Sequence, residues 1–258
     1  MPKFTIYEFH AELDDFRPKI WRQFQVKSDI TVARLGYIVQ VLFEMTASHL
    51  MAFEVPRDEN FRTYWRKNHP DLPSLESSPD DDVIWRYEIM HEDLPVFPDP
   101  YRNVETADAA NTKLHHAIPH VGDKMQFNYD FGDDWWVNLT LEKAFVEENT
   151  PGSVFPRVLD GAGFGIVEDC GGAPGLEDLV LAFKAKKGEE YEMYRDWMGV
   201  EDFDITAFDL DDMNFRLKKI PRIYKQSYED RLRPTKQEDT DMCNIDCKDW
   251  GVFEVNRL

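Results

Sequence analysis

Residues 128–136 read Asn-Tyr-Asp-Phe-Gly-Asp-Asp-Trp-Trp, so Asp130, Asp133 and Asp134 crowd one glycine between aromatic rings. Clustered carboxylate oxygens are what hard cations such as Ca²⁺ and Mg²⁺ take as ligands. In a metal-assisted hydrolase they would hold the ion that activates water. The same spacing also makes a tight hairpin turn, in which Asp caps backbone N–H groups and Trp135 packs inward. Ordinary Asp-Gly turn chemistry favours this second role, and the EF-hand ligand spacing is absent. A second dense cluster follows at Glu168-Asp169-Cys170-Gly171-Gly172-Ala173-Pro174-Gly175. A Gly-Gly pair ahead of a helix start could receive an anion, but Glu168 and Asp169 oppose one. A nucleophilic Cys170 would need a base, and none is identifiable. Glycines that let backbones approach closely explain this cluster more simply.

His49 is a candidate metal ligand if an acid joins it. A lone histidine at a strand start is more often hydrogen-bonded structure. His10, His115, His116 and His120 lie elsewhere, and no His-Glu-x-x-His pattern occurs. Trp21-Arg22, with Arg17, offers a ring and a planar cation that could clamp a phosphate or carboxylate. Its place in a hairpin strand favours pairing with one of the chain's own acids. Cys243 and Cys247 have three residues between them and no second pair of zinc ligands, and a redox pair normally has two intervening residues. The expectation is no catalytic residue and no resident cofactor. Asp130, Asp133, Asp134, Trp135, Glu168, Asp169 and His49 are the ligand-binding candidates, and a divalent cation is the ligand that their carboxylates and imidazole would take.

These residues need elements to hold them. Alternation over 4–13 predicts a strand burying Tyr7, Phe9 and Leu13. Arg17-Pro18 marks a turn, and Ile20 to Val26 returns as the second strand of a hairpin. Thr31 caps a helix from Val32 to about Glu44, with Leu35, Ile38, Val39 and Leu42 on one stripe. Ser48 to Val55 reads as a strand. The proline-rich stretch over 57–107 predicts an irregular insertion with one strand, Val83 to Met90. A short helix or turn over 112–118 precedes the strand pair 124–129 and 135–143. Pro174 then opens a helix through Lys184, and Tyr191 to Met198 forms another.

The chain has 258 residues, 42% of them hydrophobic, which suffices for a substantial core. Its formal charge is −20. Such a field repels polyphosphate and anionic lipid and suits a cation or a basic protein partner. Nucleic-acid binding is therefore not expected over the body of the chain. The local exception is 216–236, where Arg216, Lys218, Lys219, Arg222, Lys225, Arg231, Arg233 and Lys236 face only Glu229 and Asp230. Three cysteines argue against a disulfide framework, and no run of eighteen apolar residues suggests a membrane span. A cytoplasmic protein is expected.

Five motifs occur in order: Arg17-Pro18-Lys19-Ile20-Trp21-Arg22, Thr46-Ala47-Ser48-His49-Leu50, Tyr129 to Trp135, Glu168 to Gly172, and Phe203-Asp204-Ile205 to Phe208-Asp209. Together they resemble the Ri-plasmid Orf-three-like family, some of whose members are labelled insertion-element passenger (TnpR-type) proteins. The resemblance spans about residues 4–220 and covers 57–107 poorly. It implies an α+β fold on a mixed, largely antiparallel sheet, with 221–258 as an extension. It implies no chemistry. This chain departs from the family's pattern at Gly36, Val137 and Gly165, where relatives often carry His, His and Cys. The function expected is a non-enzymatic binding module associated with plasmids or mobile elements. A metal-assisted hydrolase using both acid clusters is the alternative, and nucleic-acid binding through 216–236 the third reading. Convergence of Asp130, Asp133, Asp134, Glu168 and Asp169 in one pocket would favour the hydrolase.

Overall fold

β-branched and aromatic residues alternating with polar ones drive the first two strands, β1 (Phe4–Leu13) and β2 (Trp21–Lys27), into an antiparallel hairpin that pairs Phe9 with Phe24. In the computed structural model, which describes residues 3–75, 82–90, 99 and 101–238, these strands belong to one eight-stranded sheet. The other strands are β3 (Met51–Pro56), β4 (Ile84–Glu88), β5 (Val104–Asp108), β6 (Lys124–Tyr129), β7 (Trp135–Glu147) and β8 (Arg157–Ala162). Their spatial order is β5-β4-β3-β6-β7-β1-β2-β8, and only β4 and β5 run parallel. The expected mixed, largely antiparallel α+β architecture is therefore present.

Helix α1 (Val32–Leu42) starts where the Thr31 side chain accepts from the Arg34 N–H at 3.1 Å. It is buried almost all round, because Leu35, Ile38, Val39 and Leu42 pack into the core with Phe9, Phe24, Phe53 and Phe127. α2 (Arg57–Asn68) and the short α3 (Leu114–Ala117) follow. After the sheet come α4 (Gly172–Ala185), α5 (Glu189–Met198), α6 (Leu210–Leu217) and α7 (Ile220–Tyr228). Ile220, Ile223 and Tyr224 bury the inner face of α7, and the Tyr224 and Tyr228 rings both meet Tyr37 of α1.

The structure corrects three expectations. The stretch 57–107 is not irregular with a single strand; it carries α2 and the parallel pair β4–β5. The strand expected from Ser48 begins at Met51, so His49 stands in the loop before it. The boundary placed at 220/221 falls in the first turn of α7, which continues the core rather than leaving it. Cys243, Cys247 and the end of the tail lie outside the described residues.

Arg22 is buried, and its guanidinium is committed to the fold. All five guanidinium donors are used on backbone carbonyls within 2.7–2.9 Å: Leu42, Trp21, Ala162, Gly163 and Phe164. Its plane also stacks 4.5 Å from the Phe208 ring centroid. Burial pushes its pKa down to about 10, so it stays cationic at neutral pH. The residue ties the end of α1 to β2 and to the chain leaving β8. Trp21, its neighbour, stacks on His10 instead.

Candidate metal centre

Three loops meet at one end of the sheet. The first, Phe43 to Leu50, joins α1 to β3. The second is the β6–β7 turn, and the third runs from β8 to α4. The Asp130 N–H donates to the Leu50 carbonyl at 3.0 Å, joining the first two. The Gly171 N–H donates to the Asp133 carboxylate at 3.1 Å, joining the second and third. Gly172 makes this approach possible: at φ +71° it takes a left-handed conformation, and a Cβ there would lie 2.4 Å from the Asp133 carbonyl oxygen.

Asp130 itself adopts φ +53°, turning its side chain back while its carboxylate accepts from the Gly132 N–H at 3.0 Å. That is the turn chemistry expected of this segment. It also aims the carboxylate at His49, whose Nδ1 lies 3.6 Å from Asp130 Oδ1. On its other side His49 Nε2 lies 3.8 Å from Glu168 Oε2 and 3.7 Å from Asp169 Oδ1. One ligand atom each from His49, Asp130 and Glu168 can be chosen so that all lie within 4.8 Å of one another.

Glu168 is held asymmetrically. Its Oε1 accepts from the Tyr129 hydroxyl at 2.8 Å, the Thr46 N–H at 2.7 Å and the Thr46 hydroxyl at 3.0 Å. Its Oε2 is shielded from solvent and has no hydrogen-bond partner. Burial raises the Glu168 pKa above the ordinary carboxylate range, against the opposing pull of those hydrogen bonds. The Tyr129 ring meets His49 edge to face at 5.8 Å and fixes the imidazole plane. Side-chain exposure grades across the site: 11% for Asp130, 17% for Glu168, 31% for His49 and 74% for Asp169. The cluster thus opens to water on the Asp169 side.

Of the five carboxylates whose convergence was at issue, Asp130, Glu168 and Asp169 gather round His49. Asp133 adjoins them but serves the Gly171 contact. Asp134 faces away, accepting from Asn128 Nδ2 at 2.9 Å and Trp136 Nε1 at 2.8 Å. Trp135 is buried in the core at 1% exposure. The Cys170 thiol is pushed up to about 12 by burial and by the Asp133, Glu168 and Asp169 carboxylates, so in the metal-free protein it is not a thiolate nucleophile at neutral pH. Thr46 and Tyr129, the residues that position Glu168, were not singled out from sequence. The available signal was their adjacency to His49 and Asp130 in two of the ordered motifs.

The family described as plasmid pRiA4b ORF-3-like protein matches residues 5–212. The chain belongs to the plasmid pRiA4b ORF-3-like family. All four residues around the candidate centre lie inside that span, whereas α7 lies beyond it. The uncharacterised protein y4hQ of Sinorhizobium fredii (strain NGR234) is 26% identical over 211 residues, which cover 81% of this chain and 89% of that one. A crystal structure of MM3350, a protein of unknown function from Methanosarcina mazei Go1, shares the fold of this plasmid pRiA4b ORF-3-like chain. Its TM-score is 0.61 at 24% identity, covering 81% of this chain and 97% of that chain. No helix among the described residues is long and apolar enough to cross a membrane.

Proposed function

We propose that this chain is a divalent-metal-binding module with His49, Asp130 and Glu168 as its protein ligands. The observation that carries the reading is the inward Glu168 Oε2, shielded from water, without a hydrogen bond, and 3.8 Å from an imidazole nitrogen. An unpaired buried carboxylate oxygen is unfavourable, and a cation is the partner that would offset it. One imidazole and two carboxylates form a donor set suited to Zn²⁺ or Mn²⁺ more than to Ca²⁺, which prefers oxygen alone. The net charge of −20 raises the local concentration of any cation.

The test is calorimetric titration of the metal-free protein with Zn²⁺, Mn²⁺, Ca²⁺ and Mg²⁺. The expected result is affinity on the order of micromolar or tighter for Zn²⁺ or Mn²⁺, lost in His49→Ala and Glu168→Gln, with Ca²⁺ and Mg²⁺ no tighter than about millimolar. Failure of all four ions to bind below about 1 mM would return the cluster to plain turn chemistry.

A second reading, metal-assisted hydrolysis, is favoured by Asp169. Three protein ligands leave coordination positions for water, and the exposed Asp169 carboxylate lies 3.7 Å from His49, where it could take a proton from that water. The nucleic-acid reading ranks third. Arg216 and Lys225 of the basic segment already face acids of the chain itself, Glu44, Asp212, Glu229 and Asp230.

A further inference from the structure

We infer that docking of α7 sets the cation affinity of the His49 centre, because α7 and the residues just before it clamp the loop that carries both His49 and Thr46, which gives Glu168 two of its three hydrogen bonds. The inference rests on the metal-binding reading and adds its regulation.

The loop from Phe43 to Leu50 is conformationally unfavourable on its own. Glu44 and Ala47 adopt φ of +59° and +60°. Neither is glycine, so each left-handed residue is disfavoured by its Cβ and persists only where neighbours over-determine it. The neighbours come from the C-terminal helices. Arg216, at the end of α6, donates from Nη1 and Nη2 to the two Glu44 carboxylate oxygens, the first at 2.7 Å. Asp212 lies 2.9 Å from Arg216 Nε and holds the guanidinium from behind. Tyr228, the last residue of α7, donates its hydroxyl to the Ala47 carbonyl. Its ring stacks on Tyr37 of α1 at 6.3 Å and 24°, so the hydroxyl is delivered from a fixed base.

Ala47 sits between the two working parts of the loop. On one side Thr46 gives its N–H and its hydroxyl to Glu168 Oε1. On the other, Ser48 bonds the Thr46 hydroxyl at 2.9 Å, and His49 follows. A shift of the Ala47 peptide therefore moves a ligand and the holder of another ligand together. The two clamping residues, Arg216 and Tyr228, lie past residue 212, where the family match ends. Coupling of this kind is reciprocal: if a docked α7 tightens the ion, the ion tightens α7 by the same factor.

The experiment uses the full chain with Zn²⁺ as the probe, in competition with a chromophoric chelator. Tyr228→Phe removes one hydroxyl and keeps the ring. Tyr101→Phe, at an exposed tyrosine, is the control. Circular dichroism establishes that each variant is folded. Tyr228→Phe should bind Zn²⁺ about three- to tenfold more weakly, the scale of one lost hydrogen bond, while Tyr101→Phe binds as the wild type does. Zn²⁺ should also slow amide exchange over residues 220–228 in the wild type and not in His49→Ala. Equal Zn²⁺ affinity in Tyr228→Phe and the wild type, or exchange over 220–228 indifferent to Zn²⁺ in a wild type that binds it, overturns the coupling and leaves the metal centre standing. A wild type that binds no Zn²⁺ removes the centre itself and the coupling with it.

Discussion

The Tyr129 hydroxyl donates to Glu168 Oε1 at 2.8 Å, and burial raises the pKa of both groups. The carboxylate is thus held in place on one oxygen and left unfavourably dry on the other. The metal-free protein should therefore be less stable at neutral pH than its amide analogue. A carboxyl with a raised folded pKa contributes stability that is fully present below its unfolded value of about 4.3 and is lost as pH rises through the folded value. Glu168→Gln keeps an acceptor for Tyr129 and Thr46 but has nothing to ionise. Without metal, its urea midpoint relative to wild type should climb between pH 4 and pH 8. A difference flat across that range would mean that Glu168 titrates as it does in the unfolded chain.

Adding Zn²⁺ should reverse that order. A ligand that binds only the native state at a hundred times its Kd stabilises by about 2.7 kcal/mol. Wild type should gain that increment in chemical unfolding and Glu168→Gln should not. An equal gain in both proteins would place the ion elsewhere.

Trp135→Ala should lower stability by roughly 3–5 kcal/mol, as for large-to-small changes in a core. Trp135 is among the largest fully buried side chains and opens β7 opposite Tyr129. Urea unfolding measures the effect, and a loss under about 1 kcal/mol would show that the core closes over the gap.

Arg22→Lys should destabilise by at least about 3 kcal/mol, because an ammonium offers three donors where five carbonyls wait and leaves the rest unpaired in the interior. Thermal unfolding near that of wild type would show that those carbonyls find other donors.

Gly172→Ala should weaken Zn²⁺ binding and lower stability by roughly 1–3 kcal/mol, since it imposes a strained φ and drives a methyl against the Asp133 carbonyl. Both readouts come from one titration series with and without metal. Loss of stability alone, with affinity unchanged, would mean that the turn and the α4 loop do not need to touch for the ion to bind.

The sequence is most legible where local chemistry decides. Thr31 announces α1, and Gly132 among acids announces the β6–β7 turn. α2 escaped because its apolar stripe is missing: only Asn60 is buried, and Asp58, Glu59, Arg66 and Lys67 at its ends are the available signal. β8 escaped because Arg157 to Ala162 does not alternate; it is held by β2 on one side and by Asn214, which exchanges hydrogen bonds with the Val158 backbone, on the other. α7 is masked in the sequence because Arg222 and Lys225 break the apolar run of Ile220, Ile223 and Tyr224. The candidate centre was legible residue by residue but not as a set. His49, Asp130 and Glu168 are brought together only by the sheet order that packs three distant loops at one end.

That sheet order also sets a timetable. β1 is an interior strand, and its far side stays open until β7 arrives: Glu8 pairs with Lys143, 135 residues later in the chain. At about 5–20 residues per second, the N-terminal hairpin is complete at Lys27 roughly 6–24 s before β7 has been synthesised through Glu147. During that interval the row of β1 backbone groups destined for β7 is an unpaired edge. Glu8 and Glu12 along it, with Lys3 and Lys19 close by in sequence, are charges of the kind that discourage edge-to-edge pairing between nascent chains.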